Sequence, residues 1–268
     1  MKIAGRTGVE AGIGFTGGVI GGLLGGGSGV FYVPALERAT ALSRHALHGT
    51  AGAANIAVTG VGAVVFAAAG GSVDLRAGAG MALGATVGGL FGARLIVAIP
   101  QRPLRWLFVA ILVATGVKLI LDAAGLGLSS GSALVSDEVI ANLVYAVPVS
   151  LTFGAVIGAW AAGMGLGGGL LAVPVLMLLF GADLPTAEGT SLLMFFPNAV
   201  VGTYGHMRQG TVDRRLATIL NLGAFPGAAV GVLCALAVDA DVLATIFAVF
   251  ALVIALREIR RLIVDRRT

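Results

Sequence analysis

Apolar stretches long enough to cross a lipid bilayer follow one another through almost the whole chain. A membrane-spanning helix needs about 20 mostly apolar residues, because each backbone polar group must find its partner inside the helix. Only 11% of the residues are charged, whereas soluble domains carry about 25%. We therefore predict an all-α integral membrane protein, with spanning helices at 50–70, 77–99, 104–124, 189–206, 215–237 and 241–257.

Two further apolar stretches, 9–42 and 138–181, are too long for one crossing, and each contains a dense glycine run. The first run is GLLGGGSGVFYVP, which ends at Pro34, and the second is AGMGLGGGLLAVP, which ends at Pro174. Glycine permits backbone conformations that end a helix, and proline removes a helical hydrogen bond. Each stretch therefore predicts a pair of shorter helices around a break.

The two glycine runs belong to an internal duplication. When Pro34 is placed on Pro174, the same offset superimposes Gly25, Gly27 and Gly29 on Gly165, Gly167 and Gly169, and His48–Gly49–Thr50 on Glu188–Gly189–Thr190. We predict a first repeat over 1–124, made of a glycine-broken helix pair and three spanning helices. A linker follows over 125–137, and a second repeat covers 138–268.

The positive charges predict how the repeats lie in the membrane. Arginines cluster before the 50–70 span, on either side of the 104–124 span's start, after the 189–206 span and in the tail, whereas 125–137 has no Lys or Arg. Positive residues mark cytoplasmic segments. Both termini are therefore expected in the cytoplasm and the linker outside, which gives the two repeats inverted topologies. Lys2 and Lys118 are the only lysines among 17 basic residues, and this preference for arginine hints at a GC-rich bacterial genome.

The paired breaks predict a binding site for an anion. Broken helices in inverted repeats meet near the bilayer midplane in many secondary transporters, and helix N-termini present amides with partial positive charge. The candidate substrate-binding residues of the breaks are Gly27, Ser28, Gly29, Gly167, Gly168 and Gly169. Close packing of helices explains these glycines equally well. Ser28 stands where the second run has Gly168, so the two breaks differ chemically.

Polar residues on the helices after the breaks extend the candidate set. His48, Asn55 and Thr59 recur on one face of the 50–70 helix, and Ser191 and Asn198 repeat this spacing on the 189–206 helix. Such groups line a cavity or bond a neighbouring helix. The GT pairs add two more candidates, Thr50 and Thr190. Histidine titrates near neutral pH, which makes His48 and His206 candidate proton carriers unless water simply solvates them.

The sequence offers no catalytic constellation. It has neither a Ser-His-Asp or Cys-His set nor a supported carboxylate pair, and its single cysteine excludes a cysteine-based zinc cluster. Gly21–Ser28 lacks the lysine of a phosphate loop, and the GxGxxG at Gly163–Gly168 lacks alternating strands and helices. The basic residues form no patch for nucleic acid. We therefore expect no enzyme, cofactor, metal site or nucleic-acid partner.

The repeated break followed by Val33–Pro34 or Val173–Pro174, and then by Gly49–Thr50 or Gly189–Thr190–Ser191, resembles the sulfite exporter TauE/SafE family of membrane permeases. The resemblance covers both halves in order. It implies a permease of the bacterial plasma (inner) membrane for sulfur-containing anions such as sulfite, sulfonates like sulfoacetate, or thiosulfate.

The expected function is secondary transport, chiefly export, of such an anion by alternating access, with proton coupling as an extension. The alternatives are a passive anion channel, an uptake permease for thiosulfate or another anion, and a membrane scaffold without transport. The expected partners are the small anion, the lipid bilayer and, as a candidate, a second copy of the chain in a homodimer.

Overall fold

Every regular element that the structure describes is an α-helix. The computed structural model describes residues 2–96, 101–126, 143–164 and 169–264. The first half contains α1 (Lys2–Leu23), α2 (Gly29–Ala39), α3 (Arg44–Ala68), α4 (Leu75–Ile96) and α5 (Gln101–Ala123). The second contains α6 (Leu143–Met164), α7 (Gly169–Leu179), α8 (Leu184–Arg208), α9 (Arg214–Ala237) and α10 (Ala240–Val264). The repeat offset therefore matches α1–α5 with α6–α10 in order.

Several of the helices carry apolar surface outward. Five of them, α3, α5, α6, α9 and α10, are long and apolar enough to cross a membrane. Large apolar side chains on these helices, such as Val64, Val144 and Leu222, are about 70% exposed. A soluble protein would hide such surface, whereas lipid tails solvate it. The predicted all-helical, multi-pass integral membrane protein is thus confirmed.

The two long apolar stretches form helix pairs of unequal length. In the first pair α1 has 22 residues and α2 has 11, and the second pair has the same lengths in α6 and α7. A 22-residue helix is about 33 Å long at 1.5 Å per residue, which is enough to cross a bilayer. The 11-residue helix reaches only about half that depth. Each pair therefore combines a full-length helix with a half-length one.

Glycines let helices from opposite halves touch along their backbones. A methyl group added at Gly18 of α1 would lie 2.6 Å from the carbonyl oxygen of Ala224 on α9. On the equivalent pair of helices, a methyl at Gly158 of α6 would overlap the carbonyl oxygen of Ala85 on α4. Membrane helices lack a hydrophobic drive to associate with each other, so this close van der Waals contact holds them together.

The two interfaces use the same register with the halves exchanged. Three more contacts of this type repeat between them: Gly14–Leu220 with Gly154–Met81, Gly223–Ala11 with Gly84–Leu151, and Gly227–Phe15 with Gly88–Ala155. The residues of α1 match those of α6 at the offset of 140 residues that places Pro34 on Pro174, and the residues of α4 match those of α9 at 139, after a deletion of one residue. Equivalent backbone contacts at equivalent positions support a structural repeat.

The helices group into two bundles, each built from both halves. Bundle A comprises α1, α2, α3 and α9, and its buried apolar residues include Tyr32, Leu47 and Leu220. Bundle B comprises α4, α6, α7 and α8, with α5 and α10 packed beside it around residues such as Leu112 and Leu176. Under the repeat, the four helices of bundle A correspond to the four helices of bundle B. Helices α3 and α8 pack against each other where the bundles meet.

Candidate functional site

The first glycine run forms a sharp break between α1 and α2. Gly25 and Gly26 adopt positive φ angles of +70° and +100°, a region that residues with a Cβ rarely enter. The Gly26 N–H donates to the carbonyl oxygen of Gly21 at 2.6 Å, a bond that closes the end of α1. The chain then turns into α2, whose first residue is the buried Gly29. We call residues 24–28 the first break.

The first break touches the start of α7 in the other half. A methyl group added at Gly169 would overlap the backbone of Gly25 and Gly26. One added at Gly27 would lie 3.4 Å from the Cβ of Leu170, an ordinary contact. The two glycine runs thus meet backbone to backbone. The predicted site residues Gly167 and Gly168 lie outside the described residues.

Buried polar side chains from both bundles surround the first break. The Ser28 hydroxyl, which is 0% exposed, donates to Oδ1 of Asn55 on α3. The Ser191 hydroxyl of α8 donates to the carbonyl oxygen of Gly25 at 2.7 Å. Thr59, also buried, bonds the carbonyl oxygen of Asn55 on its own helix. The structure thus brings together the predicted residues Ser28, Asn55 and Ser191 with the glycines of the first break.

Glu188 also lies at the first break, although the sequence did not single it out as a binding residue. Its side chain is 0% exposed, and a methyl group added at Gly25 would lie 2.9 Å from its Cα. Neither carboxyl oxygen has a hydrogen-bond partner among the described residues. The signal in the sequence was an acid within an apolar helix, at the position equivalent to His48.

The threonines of the two GT pairs lie away from the first break. The Thr50 hydroxyl accepts from the backbone N–H of Asp213 at 3.1 Å, next to the turn between α8 and α9. The Thr190 hydroxyl accepts from the backbone N–H of Asp74 at 2.9 Å, in the turn between α3 and α4. These contacts are equivalent under the repeat, and each ties a helix of one half to a turn of the other.

The remaining candidates also lie apart from the first break. His206 Nδ1 is 2.9 Å from the Thr211 hydroxyl, and His206 interacts electrostatically with His48. Both histidines therefore belong to the α8–α9 turn end of the molecule. Asn198 faces α4, where a methyl group added at Gly89 would overlap its Oδ1.

Asn221 of α9 is a second polar contact that the sequence did not reveal. Its Nδ2 donates to the carbonyl oxygen of Ala53, and its Oδ1 accepts from the N–H of Ala57, both at 2.9 Å. These groups are four residues apart on α3, the spacing of a helical hydrogen bond. Asn221 also lines a cavity of about 620 Å³ between α3, α8 and α9, together with Thr203 and Arg214.

The polar groups at the first break are mainly hydrogen-bond donors. The first amides of a helix lack intrahelical partners, and at α2 they lie beside the Ser28 hydroxyl and the Asn55 amide. Amide and hydroxyl donors of this kind can hold a small anion. The described residues contain no group of three or more His, Cys, Asp or Glu side chains that could hold a metal ion.

Known proteins are similar to this chain over most of its length. The family model described as "Sulfite exporter TauE/SafE" matches residues 2–119 and 149–267. "Probable membrane transporter protein YdhB" of Bacillus subtilis (strain 168) is 26% identical over 214 residues, which cover 80% of this chain and 84% of that protein. "Probable membrane transporter protein YunE" of the same organism is 34% identical over 87 residues, 32% of either chain. No solved structure matches significantly. The chain belongs to the TauE/SafE family of membrane transporters.

Proposed function

We propose that the chain is a secondary transporter that exports small sulfur-containing anions, such as sulfite or a sulfoacetate-like sulfonate, by alternating access. The observation that carries the proposal is the first break, where buried polar groups of both bundles meet at glycine-rich backbone. Irregular backbone is tolerated at membrane depth only where protein or a water-filled cavity satisfies it. The family description names sulfite export, and both relatives are named as membrane transporters.

The first break supplies donors that suit an oxyanion. The amides of Gly27, Ser28 and Gly29 lie at the N-terminus of α2, where the helix dipole is positive. The Ser28 hydroxyl and the Asn55 amide add side-chain donors within the same contact region. We propose that the anion displaces the bond between Ser28 and Asn55 and takes both groups as ligands. Gly167, Gly168 and Gly169 would contribute the equivalent amides of the second half.

The two bundles are the proposed moving parts. Bundle A carries the first break and Asn55, whereas bundle B carries Gly169, Glu188 and Ser191. Relative motion of the bundles would therefore open this contact to one side or the other, as in transporters whose repeats rock around a central site. The groups at the contact are nearly or fully buried, so the described conformation supports an occluded state more than an open pore.

We further propose that the membrane is a bacterial plasma membrane, with both termini in the cytoplasm and the repeats inverted. The arginine clusters support this orientation, and the equivalent contacts of α1–α9 and α4–α6 support the repeat. The expected homodimer is tested by light scattering of the detergent-solubilised protein, where a single chain per particle contradicts it.

Flux into proteoliposomes tests the function. Purified protein is reconstituted, and uptake of radiolabelled sulfite, sulfoacetate and taurine is measured against empty liposomes. We expect saturable flux of sulfite or sulfoacetate and counterflow when the same unlabelled anion is preloaded, whereas taurine, a zwitterion without net charge at neutral pH, tests whether a net negative charge is needed. Absence of flux for every sulfur-containing anion tested would overturn the proposal.

Current and flux measurements on the purified protein distinguish a transporter from a passive anion channel, the alternative that the sequence leaves open. A channel gives unitary currents in planar bilayers and flux that does not saturate. A transporter gives saturable flux and counterflow without unitary currents. Unitary anion currents from the purified protein would favour the channel and contradict alternating access.

A further inference from the structure

Three buried glutamates differ in how the protein neutralises them. Glu258 lies 3.5 Å from Arg105, and Glu10 lies 3.9 Å from Arg215, so each has an arginine partner. Glu188 is more deeply buried than either, at 0% exposure, and both of its carboxyl oxygens lack a hydrogen-bond partner among the described residues. An unpaired ionised carboxylate in an apolar interior is very costly. This carboxyl therefore needs a partner or a bound proton that the described side chains around it do not supply.

The groups around Glu188 do not include an arginine partner among the described side chains. The first break and α7 contribute no ionisable residue. The ionisable residues of α3 lie at its opposite end, near the α8–α9 turn, and are Arg44, His45 and His48. On its own helix, the exposed Asp183 is the N-cap residue.

On α4 the first turn is flanked by Asp74 and contains Arg76, whose side chain is outside the described part. The ionisable residues of α10 are Asp241, Arg257, Glu258, Arg260 and Arg261.

Glu188 lies where the two bundles touch, so the surroundings of its side chain depend on how the bundles are placed relative to each other. It belongs to bundle B, yet its Cα touches Gly25 of bundle A. The neighbouring Ser191 hydroxyl bonds the Gly25 carbonyl at 2.7 Å, so the helix face that carries Glu188 is tied to the first break. Any motion that separates the bundles must break this contact and change the access of water to the carboxyl. A group with these properties is suited to bind a proton in one state and release it in another.

We propose that Glu188 is the proton-binding residue that couples anion movement to proton movement, an inference that rests on the proposed function. When the site faces one side, the carboxylate takes a proton from hydronium, so that one O–H bond of hydronium breaks as the carboxyl O–H bond forms. When the site faces the other side, the carboxyl O–H bond breaks and the proton passes to water, which becomes hydronium. The coupling role that the sequence suggested for His48 and His206 is thereby assigned to Glu188, the residue equivalent to His48.

The test compares two modes of transport in Glu188→Gln. Proteoliposomes are loaded with sulfoacetate, or with sulfite if only that is carried, and the membrane potential is clamped with potassium and valinomycin. Net flux driven by a pH gradient needs proton release, whereas exchange of labelled for unlabelled anion does not. We expect net flux in E188Q to fall by about tenfold or more and exchange to stay within about twofold of wild type. The control is Asp183→Asn, an exposed acid at the start of the same helix, which should leave both modes unchanged.

Several results would overturn the inference. These are pH-driven flux in E188Q equal to wild type, loss of exchange together with net flux in a monodisperse protein, or wild-type flux that follows a sodium gradient and ignores pH. If E188Q does not fold, Glu188→Asp must keep pH-driven flux with a displaced pH profile, and an unchanged profile contradicts the proposal. Wild-type flux without pH dependence rejects the coupling alone, whereas no wild-type flux of any anion rejects the proposed function itself.

Discussion

Gly25 occupies a position that no other residue type fits. Its φ of +70° disfavours any side chain, and a methyl group there would lie 2.9 Å from the Cα of Glu188. We expect Gly25→Ala to cost about 1 kcal/mol for the backbone conformation and about 1–3 kcal/mol more for the overlap. The measurement is the apparent Tm in detergent.

Gly210 provides the matched control for this prediction. It has a similar φ of +67°, but a methyl group there meets nothing within 4 Å. Gly210→Ala should therefore lower the apparent Tm only by the conformational part. Equal shifts in the two variants would show that the contact between Gly25 and Glu188 contributes nothing.

Ser28 is the side chain that makes the first break differ from the second, where the equivalent residue is Gly168. Ser28→Ala removes the donor to Asn55 and leaves its buried Oδ1 without that partner. Because we place this hydroxyl on the anion, we expect KM for the transported sulfonate to rise by about tenfold, with a smaller change in kcat. Thr115→Val is the control, since it removes another buried hydroxyl, one that bonds its own helix. An unchanged KM in S28A removes Ser28 from the site.

The sequence singled out some of the polar residues in or beside the first break and not others. Ser28 and Asn55 stood out because hydroxyl and amide groups are conspicuous in apolar helices. Glu188 is an equally conspicuous acid in an apolar helix, but the sequence did not show that it is buried against Gly25, which lies in the other half of the chain. Asn221 was missed for the same reason, since its partners on α3 are set by tertiary packing. Contacts between distant segments leave no local pattern.

The interface between α1 and α9 should tolerate larger residues only where the helices do not touch. A side chain at Gly18 would run into Ala224, whereas one at Gly12 meets nothing within 4 Å. We expect Gly18→Val to lower stability by about 1–3 kcal/mol through overpacking, and Gly12→Val to have little effect. Apparent Tm and gel filtration in detergent measure both. Gly158→Val, at the equivalent place between α6 and α4, should lower the apparent Tm as Gly18→Val does. An unchanged apparent Tm in Gly158→Val would contradict the equivalence of the two interfaces.

The amide of Asn221 bridges a helical turn of α3 at a position where α8 has a proline. Ala57, whose N–H it binds, is equivalent to Pro197, which has no N–H. A helix bends locally where a proline lacks the N–H, and also where a side chain comes between the N–H and C=O groups of one helical turn. We therefore expect Asn221→Ala to lower the rate of anion flux by about tenfold through altered bending of α3, with a smaller effect on apparent Tm.

The control for Asn221 is Thr218→Ala on the same helix. Thr218 is exposed and bonds the carbonyl oxygen of Arg214 within α9, so its loss should leave flux unchanged. A normal flux rate in Asn221→Ala would mean that the bridge only fastens α9 to α3.

Helix positions were more predictable than helix partners. The span expected at 215–237 is observed as Arg214–Ala237, because apolar length sets where a membrane helix begins and ends. The unequal lengths within each broken pair were not foreseen, since the glycine run marks where a helix ends without stating how far it extends on either side. Nor did the order of spans indicate that α1 packs on α9.

The proposed orientation of the whole molecule makes opposite ends of the helices reachable from opposite sides. In a Cys234→Ser background, an impermeant maleimide added to intact cells should label Ser72→Cys and Asp239→Cys, which lie in exposed turns. Ala41→Cys and Gln209→Cys, also exposed, should react only after the membrane is opened. Labelling of the first pair from the cytoplasmic side only would reverse the orientation, and mixed labelling within a pair would reject the inverted repeats.

The mixing of the two halves within each bundle also imposes an order on biosynthesis. Helix α1 enters the membrane before its glycine-lined partner surface on α9 has been made. At a synthesis rate of 5–20 residues per second, roughly 10–40 s separate the two helices. During that interval the first five helices sit in the bilayer with their closest-packing faces covered only by lipid or by the insertion machinery. Neither bundle can close before the second half arrives, so a nascent chain stalled after α5 holds no finished unit and is exposed to quality control throughout the wait.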